Sequence, residues 1–344
     1  MALTHGNGQI TDDWDSLLLI ETLKNTQKVI NMDVYNKKII FVGGKGGVGK
    51  STSSAAIALE SAKRNNKTLL ISTDPAHNIG HIFETKVGGV ISSVAENLDA
   101  LEIDPKRETE LYIKSVKENI KETVQPTMME EVHRQLDTAK ISPGADEAAL
   151  FDKLITIIIE ESNNYDKLVF DTAPTVHTIR LLSLPELMGV WIEGLLNKRG
   201  KTQETYTQLL HDGEPQEDPI FDVLSKRQER FKHAREIMLD GEQTGFIFVL
   251  NPERLPIIET NNAIEMLDQY HLHVKTLIVN RVLPENDEGQ FFKQRKDHEA
   301  MYLEEIKRTF KNQDLIYVPF FAHDISSREQ LEEFSSYLQR KDES

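Results

Sequence analysis

The chain has 344 residues, 39% of them hydrophobic and 28% charged, and a formal net charge of -16. This composition supplies a sizeable core and a charged surface, while the acidic balance disfavours general electrostatic binding to nucleic acid or to an anionic membrane. The absence of cysteine removes disulfides, thiolate zinc sites, iron–sulfur clusters and nucleophilic thiols together.

Residues 1–37 read as an N-terminal extension: a polar stretch, then a helix-like run from Trp14 to about Ile30. Its apolar Leu17-Leu18-Leu19-Ile20 is flanked by Asp12, Asp13, Asp15 and Glu21. It is far short of the roughly 20 residues a membrane span needs and carries the wrong charge for a signal peptide. The expectation is a cytoplasmic protein with no direct membrane insertion.

From Lys38 onward, short apolar runs alternate with helical segments. The runs are Lys38 to Val42, Thr68 to Ser72, Lys167 to Asp171, Phe246 to Leu250, Thr276 to Asn280 and Leu315 to Pro319. Continuous apolar strands imply burial on both faces, hence a doubly wound, mostly parallel α/β sheet covered by helices. Ligands then bind at the carboxyl ends of the strands. Residues 38–344 are taken as one domain, with a helical subdomain contributed by about 105–160 and 181–243. The latter contains the broad apolar face Leu184, Leu187, Met188, Val190, Trp191, Ile192, Leu195 and Leu196, which is either subdomain core or a groove for a client helix.

Directly after the first strand, Gly44-Lys45-Gly46-Gly47-Val48-Gly49-Lys50-Ser51 satisfies G-x-x-x-x-G-K-[ST], and Thr52 opens a helical run. Such a loop wraps phosphates with backbone N–H groups at a helix N-terminus. Lys50 reaches the β- and γ-phosphates, and Ser51 is suited to Mg²⁺. The cofactors expected are therefore ATP and Mg²⁺. An ordinary loop of this kind does not need Lys45. A cation there cannot easily fold back onto its own γ-phosphate, and could reach a neighbouring subunit's site as an arginine finger does. Asp74 and Asp171 both follow apolar strands, so both carboxylates fall beside the loop. Asp74 suits activation of the attacking water, and Asp171 suits Mg²⁺ through a bound water.

The G-K-G-G-x-G-K-[ST] loop is the deviant Walker A form found in dimeric ATPases of the SIMIBI type. Together with Ser72-Thr73-Asp74-Pro75-Ala76-His77-Asn78, Asp171-Thr172-Ala173-Pro174-Thr175, Ser142-Pro143-Gly144-Ala145-Asp146-Glu147-Ala148, Asn251-Pro252-Glu253 and Ile278-Val279-Asn280-Arg281, it closely resembles the arsenical-pump ATPase (ArsA) and guided-entry targeting ATPase family from about Lys38 to Leu338. The resemblance implies a homodimeric ATPase that energises an anion transporter of the arsenite type or guides a tail-anchored membrane protein. The alternative it offers is a nucleotide-regulated chaperone for transmembrane segments. It also implies that the two aspartate strings are switches, that Lys45 crosses the dimer interface, and that Asn280 recognises adenine with Pro319 on the base's other side. Family members often carry a C-x-x-C zinc clamp where this chain has Gln290-Phe291-Phe292-Lys293-Gln294-Arg295, and pumps bind trivalent metalloid through thiolates. Without cysteine, neither is possible here.

Overall fold

The computed structural model describes residues 33–74, 79–120, 134, 145–172, 219–284 and 290–338. Expectations for residues 1–32, Pro75 to Asn78, Ser142 to Gly144, Ala173 to Thr175 and the Leu184 to Leu196 face fall outside the described residues.

In chain order the elements are β1 (Ile39–Gly44), α1 (Lys50–Lys63), β2 (Thr68–Ser72), α2 (Ile79–Ile82), β3 (Ser92–Ala95), β4 (Leu98–Glu102), α3 (Pro105–Ile120), α4 (Ala145–Glu160), β5 (Lys167–Asp171), α5 (Pro219–Leu239), β6 (Thr244–Leu250), α6 (Arg254–Gln269), β7 (Val274–Val282), α7 (Gln290–Thr309), β8 (Asp314–Pro319) and α8 (Arg328–Ser336). The strands form one sheet in the order β3-β4-β2-β5-β1-β6-β7-β8. Every pairing is parallel except β3 with β4, an antiparallel edge hairpin. The doubly wound sheet expected from the apolar runs is present.

Alternation along β1 shows why its run is continuous. Ile39 and Phe41 enter a core shared with Phe151, Ile155 and Ile158 of α4, Phe231 of α5 and Leu267 of α6. Ile40 and Val42 enter a second core on the opposite face with Ala55 to Leu59 of α1 and Leu331 and Phe334 of α8. Both faces are dry, so neither register position tolerates a polar residue. Phe41 stacks on Phe170 of β5 at 4.7 Å and on Phe246 of β6 at 5.3 Å between ring centroids, binding the three central strands together.

Two features differ from the sequence reading. The strand β4 is not among the apolar runs read as strands, because Asp99 and Glu102 interrupt it. Leu98, Ala100 and Leu101 are nevertheless buried, Asp99 accepts the Tyr165 hydroxyl at 2.8 Å, and Glu102 turns inward. The N-terminal boundary also falls earlier than residue 38. Val34 and Tyr35 are buried in the α1-side core, and the Lys167 ammonium donates to the carbonyls of Tyr35 and Lys37 at 2.9 and 2.6 Å. Of the described parts of the proposed helical subdomain, α4 and α5 pack into the core of the sheet, and α3 packs on α4.

The register brings chemistry to one edge. Val42 and Ser72 pair level with Asp171, Gly44 pairs with Val249, Leu250 pairs with Val279, and Val282 pairs with Pro319. The carboxyl ends of β1, β2, β5, β6, β7 and β8 therefore meet where the strand order reverses about β1, which is where such sheets bind ligands.

Candidate functional site

The glycine loop leaves β1 through a tight approach. Gly44 has φ +146°, and a Cβ there would lie 2.3 Å from the Val249 carbonyl oxygen, so a larger residue would push β1 off β6. The loop closes onto α1 at Gly49, which is left-handed at φ +100° and provides no side-chain cap. The first N–H groups of α1 are thus left for a ligand. Between these points Gly46 and Gly47 border open space. Val48 is buried in the α1-side core, while Ser51 and Thr52 stand half-buried at the helix start.

Lys50 is buried, and its ammonium donates to the Lys45 carbonyl at 3.2 Å. Burial pulls its pKa below the ordinary lysine range, while the carboxylates of Asp171 and Asp74 push it back up. Asp171 is completely buried. Burial pushes its carboxyl up to about 6, against the hydroxyls of Ser51 and Ser72 and the Lys50 ammonium, all of which favour the charged form; Asp74 adds to the rise. One oxygen, Oδ2, accepts the Ser72 hydroxyl at 3.3 Å, whereas the buried Oδ1 has no hydrogen-bond partner.

That same Ser72 hydroxyl accepts the backbone N–H of Asp74 at 3.2 Å. A single side chain therefore spaces the two aspartates, a link the sequence gives no reason to expect. Asp74 itself is half-buried. The far end of its segment is pinned by Glu102, whose buried carboxylate accepts the N–H groups of Ile79 and Gly80 at 2.9 and 3.2 Å. Thr172, directly after Asp171, donates its hydroxyl and its N–H to the Val42 carbonyl, at 2.7 and 3.2 Å. An unmet buried carboxylate oxygen beside a serine hydroxyl suits a hard divalent cation carrying its own water.

Lys45 turns elsewhere. Its ammonium makes a 2.8 Å ion pair with Glu259 on α6, both side chains partly exposed. Asn280, at the end of β7, is buried and gives its amide to the Val48 carbonyl at 2.8 Å. Pro319 ends β8 opposite Val282, and the Phe320 N–H continues the pairing at 2.8 Å. Lys45, Lys50, Ser51, Asp74, Asp171, Asn280 and Pro319 are thus gathered at one edge. Glu259, Ser72 and Glu102 are additional residues of the same edge. Among the described residues no helix is long and apolar enough to cross a membrane.

Residues 37–340 match the model of a family described as anion-transporting ATPases. The chain is 35% identical over 301 residues to arsenical pump-driving ATPase 2 of Aquifex aeolicus, covering 88% of this chain and 99% of the relative. It is 34% identical to an ATPase ASNA1 homolog of Entamoeba dispar, over 88% of this chain and 94% of that one. With the ATPase get3 of Pyrenophora tritici-repentis it shares 31% identity over 89% and 92% of the two chains. The glycine loop at the strand-order reversal in this chain lies beside the buried Lys50 and the buried Asp171. The chain belongs to the anion-transporting ATPase family and is an ATP hydrolase.

Proposed function

We propose that the protein is a homodimeric, Mg²⁺-dependent ATPase that works in the cytoplasm as a nucleotide-driven switch, and that its output drives or guides a membrane protein, either an anion transporter subunit or a tail-anchored client. The observation that carries the site assignment is the pair Lys50 and Asp171, both buried and both held in charge states that burial disfavours. A bound triphosphate and its cation would relieve both penalties at once.

In this reading the N–H groups of Gly46 to Thr52 wrap the β- and γ-phosphates, and Lys50 neutralises charge as the β–γ bridging bond breaks. Ser51 and Asp171 would hold Mg²⁺, which would supply Lewis-acid neutralisation of the phosphate oxygens when bound. Asp74 orients the attacking water and takes its proton. Asn280 and Pro319 flank the adenine. Lys45 leaves Glu259 and completes the partner's site, adding positive charge where the transition state needs it. With no cysteine in the chain, the dimer rests on nucleotide contacts and apolar packing. Phe291, Phe292 and Met301, exposed on α7, offer such a surface. Activation by arsenite through thiolates is ruled out by the same absence.

The test mixes two inactive variants. Lys45→Ala lacks the travelling cation and Asp74→Asn lacks the base; a mixed dimer rebuilds one intact site from the two. Turnover should rise on mixing to a substantial fraction of the native rate, and a mixture as inactive as its components would refute site sharing.

A further inference from the structure

Asn280 is expected to read adenine, yet its side chain is already committed to the phosphate loop. Its Nδ2 donates to the Val48 carbonyl at 2.8 Å, across 232 residues of sequence, and its Oδ1 accepts the Arg281 N–H at 2.9 Å. These two partners fix which amide atom is which, since the flipped amide would set oxygen against oxygen and N–H against N–H. Arg281 adopts the left-handed conformation, φ +59°, that accompanies this turn-back of its N–H. The amide also lies against Gly49, where a Cβ would sit 2.3 Å from Nδ2. With only 5% of Asn280 exposed, water cannot readily replace these bonds.

The geometry has a consequence for the loop. A trans peptide is planar, with its C=O and N–H on opposite sides. Holding the Val48 carbonyl against β7 therefore turns the Gly49 N–H the other way, away from β7. A phosphate cradle needs every N–H inward and every carbonyl outward; one peptide flipped at Val48–Gly49 would present an oxygen to the anion.

We infer that Asn280 is a positioning residue for phosphate binding: it locks the Val48–Gly49 peptide so that the Gly49 N–H faces the phosphates, whatever base is attached to them. The inference rests on reading Gly44 to Ser51 as the phosphate cradle, and it makes base recognition and loop order properties of one side chain.

The experiment removes the base. Binding of magnesium tripolyphosphate, ATP and GTP to the full chain is measured by titration calorimetry for the native protein, Asn280→Ala, Asn280→Asp, Lys50→Met, and Thr276→Ala as a control on the same strand. Asn280→Asp keeps an oxygen for the Arg281 N–H and loses the donor but adds a negative charge, whereas Asn280→Ala loses both bonds and adds no charge. Both should weaken tripolyphosphate by about tenfold or more, and Thr276→Ala should not. Unchanged tripolyphosphate affinity with a lost preference for ATP over GTP would overturn the inference and leave Asn280 a base reader alone. Should Lys50→Met bind tripolyphosphate like the native chain, the cradle reading itself falls, an outcome distinct from the first. A ligand-free measurement stands beside these: amide exchange over residues 44–53 should accelerate about tenfold in both Asn280 variants, with β5 unaffected, and unaltered exchange there also overturns the inference.

Discussion

Two buried lysines stand at opposite ends of the same sheet, and their surroundings differ in a way that separates scaffold from site. Lys167, at the amino end of β5, and Lys50, at the carboxyl end of β1, are 7% and 4% exposed, and burial lowers the pKa of both. Lys167 is met by two backbone carbonyls at 2.9 and 2.6 Å, which lace residues 35–37 to the sheet. Lys50 has one carbonyl at 3.2 Å and the field of two aspartates, one of which carries a buried oxygen with no hydrogen-bond partner. The first arrangement is closed on itself. The second leaves a buried oxygen unmet, which fits the proposed triphosphate and its cation, so unmet burial, and not burial alone, is what points to function.

That contrast can be broken by substitution. The largest effect should come from Lys50→Met, which removes the charge proposed to face the γ-phosphate. ATP turnover should fall by about a thousandfold or more, and the rise in melting temperature on adding Mg-ATP should vanish; retention of either would make the two lysines equivalent after all. Lys167→Met should do the reverse. It strands two buried carbonyls and should lower stability by about 2–3 kcal/mol in urea titrations, while turnover per folded molecule stays native. A loss of turnover without loss of stability would show that the amino end of the sheet also serves the chemistry.

A smaller effect sharpens the comparison from the side of the acid. Asp171 has a folded pKa of about 6, above its ordinary 3.8. Between about pH 4 and 6 the native chain therefore holds a proton that the unfolded chain releases, and the contribution to stability is complete below pH 4 and disappears as pH rises through 6. Without nucleotide, Asp171→Asn should stabilise the protein at pH 8 by roughly 2–3 kcal/mol, have little effect at pH 4, and impair Mg²⁺-dependent turnover. A destabilised variant at pH 8 would mean that the carboxylate is satisfied in a way its environment does not suggest.

Much of this was legible in the residues because the determinants are local. The loop spells its own turn chemistry, and β1, β2 and β5 are apolar on both faces, so their runs are unbroken. The two aspartates directly follow β2 and end β5, and register alone brings them to the loop. What escaped depends on distance along the chain. Glu259 lies 214 residues from Lys45 and sits among the polar positions of α6; nothing local distinguishes it from a solvated glutamate. The bond from Asn280 to Val48 is equally remote. The strand β4 was hidden for a different reason: Asp99 and Glu102 look like surface residues until Tyr165 and the start of α2 claim them. Val34 and Tyr35 were assigned to the extension because two apolar residues form no period, and only their packing on α1 reveals them as core.

The central position of β1 also governs the order in which the molecule can be made. Among the described strands it is the first to leave the ribosome, yet Ile39 pairs with Leu168 on one side and Thr244 on the other. Until residues as far as Leu250 have emerged, β1 has at most one neighbour, and the Val249 carbonyl that shapes Gly44 is missing. Non-local pairing of this kind is slow and leaves apolar strands uncovered while they wait. A nascent chain should therefore gain affinity for ATP only late in synthesis, and its early strands, rather than any exposed helix of the finished protein, are the segments most in need of shelter.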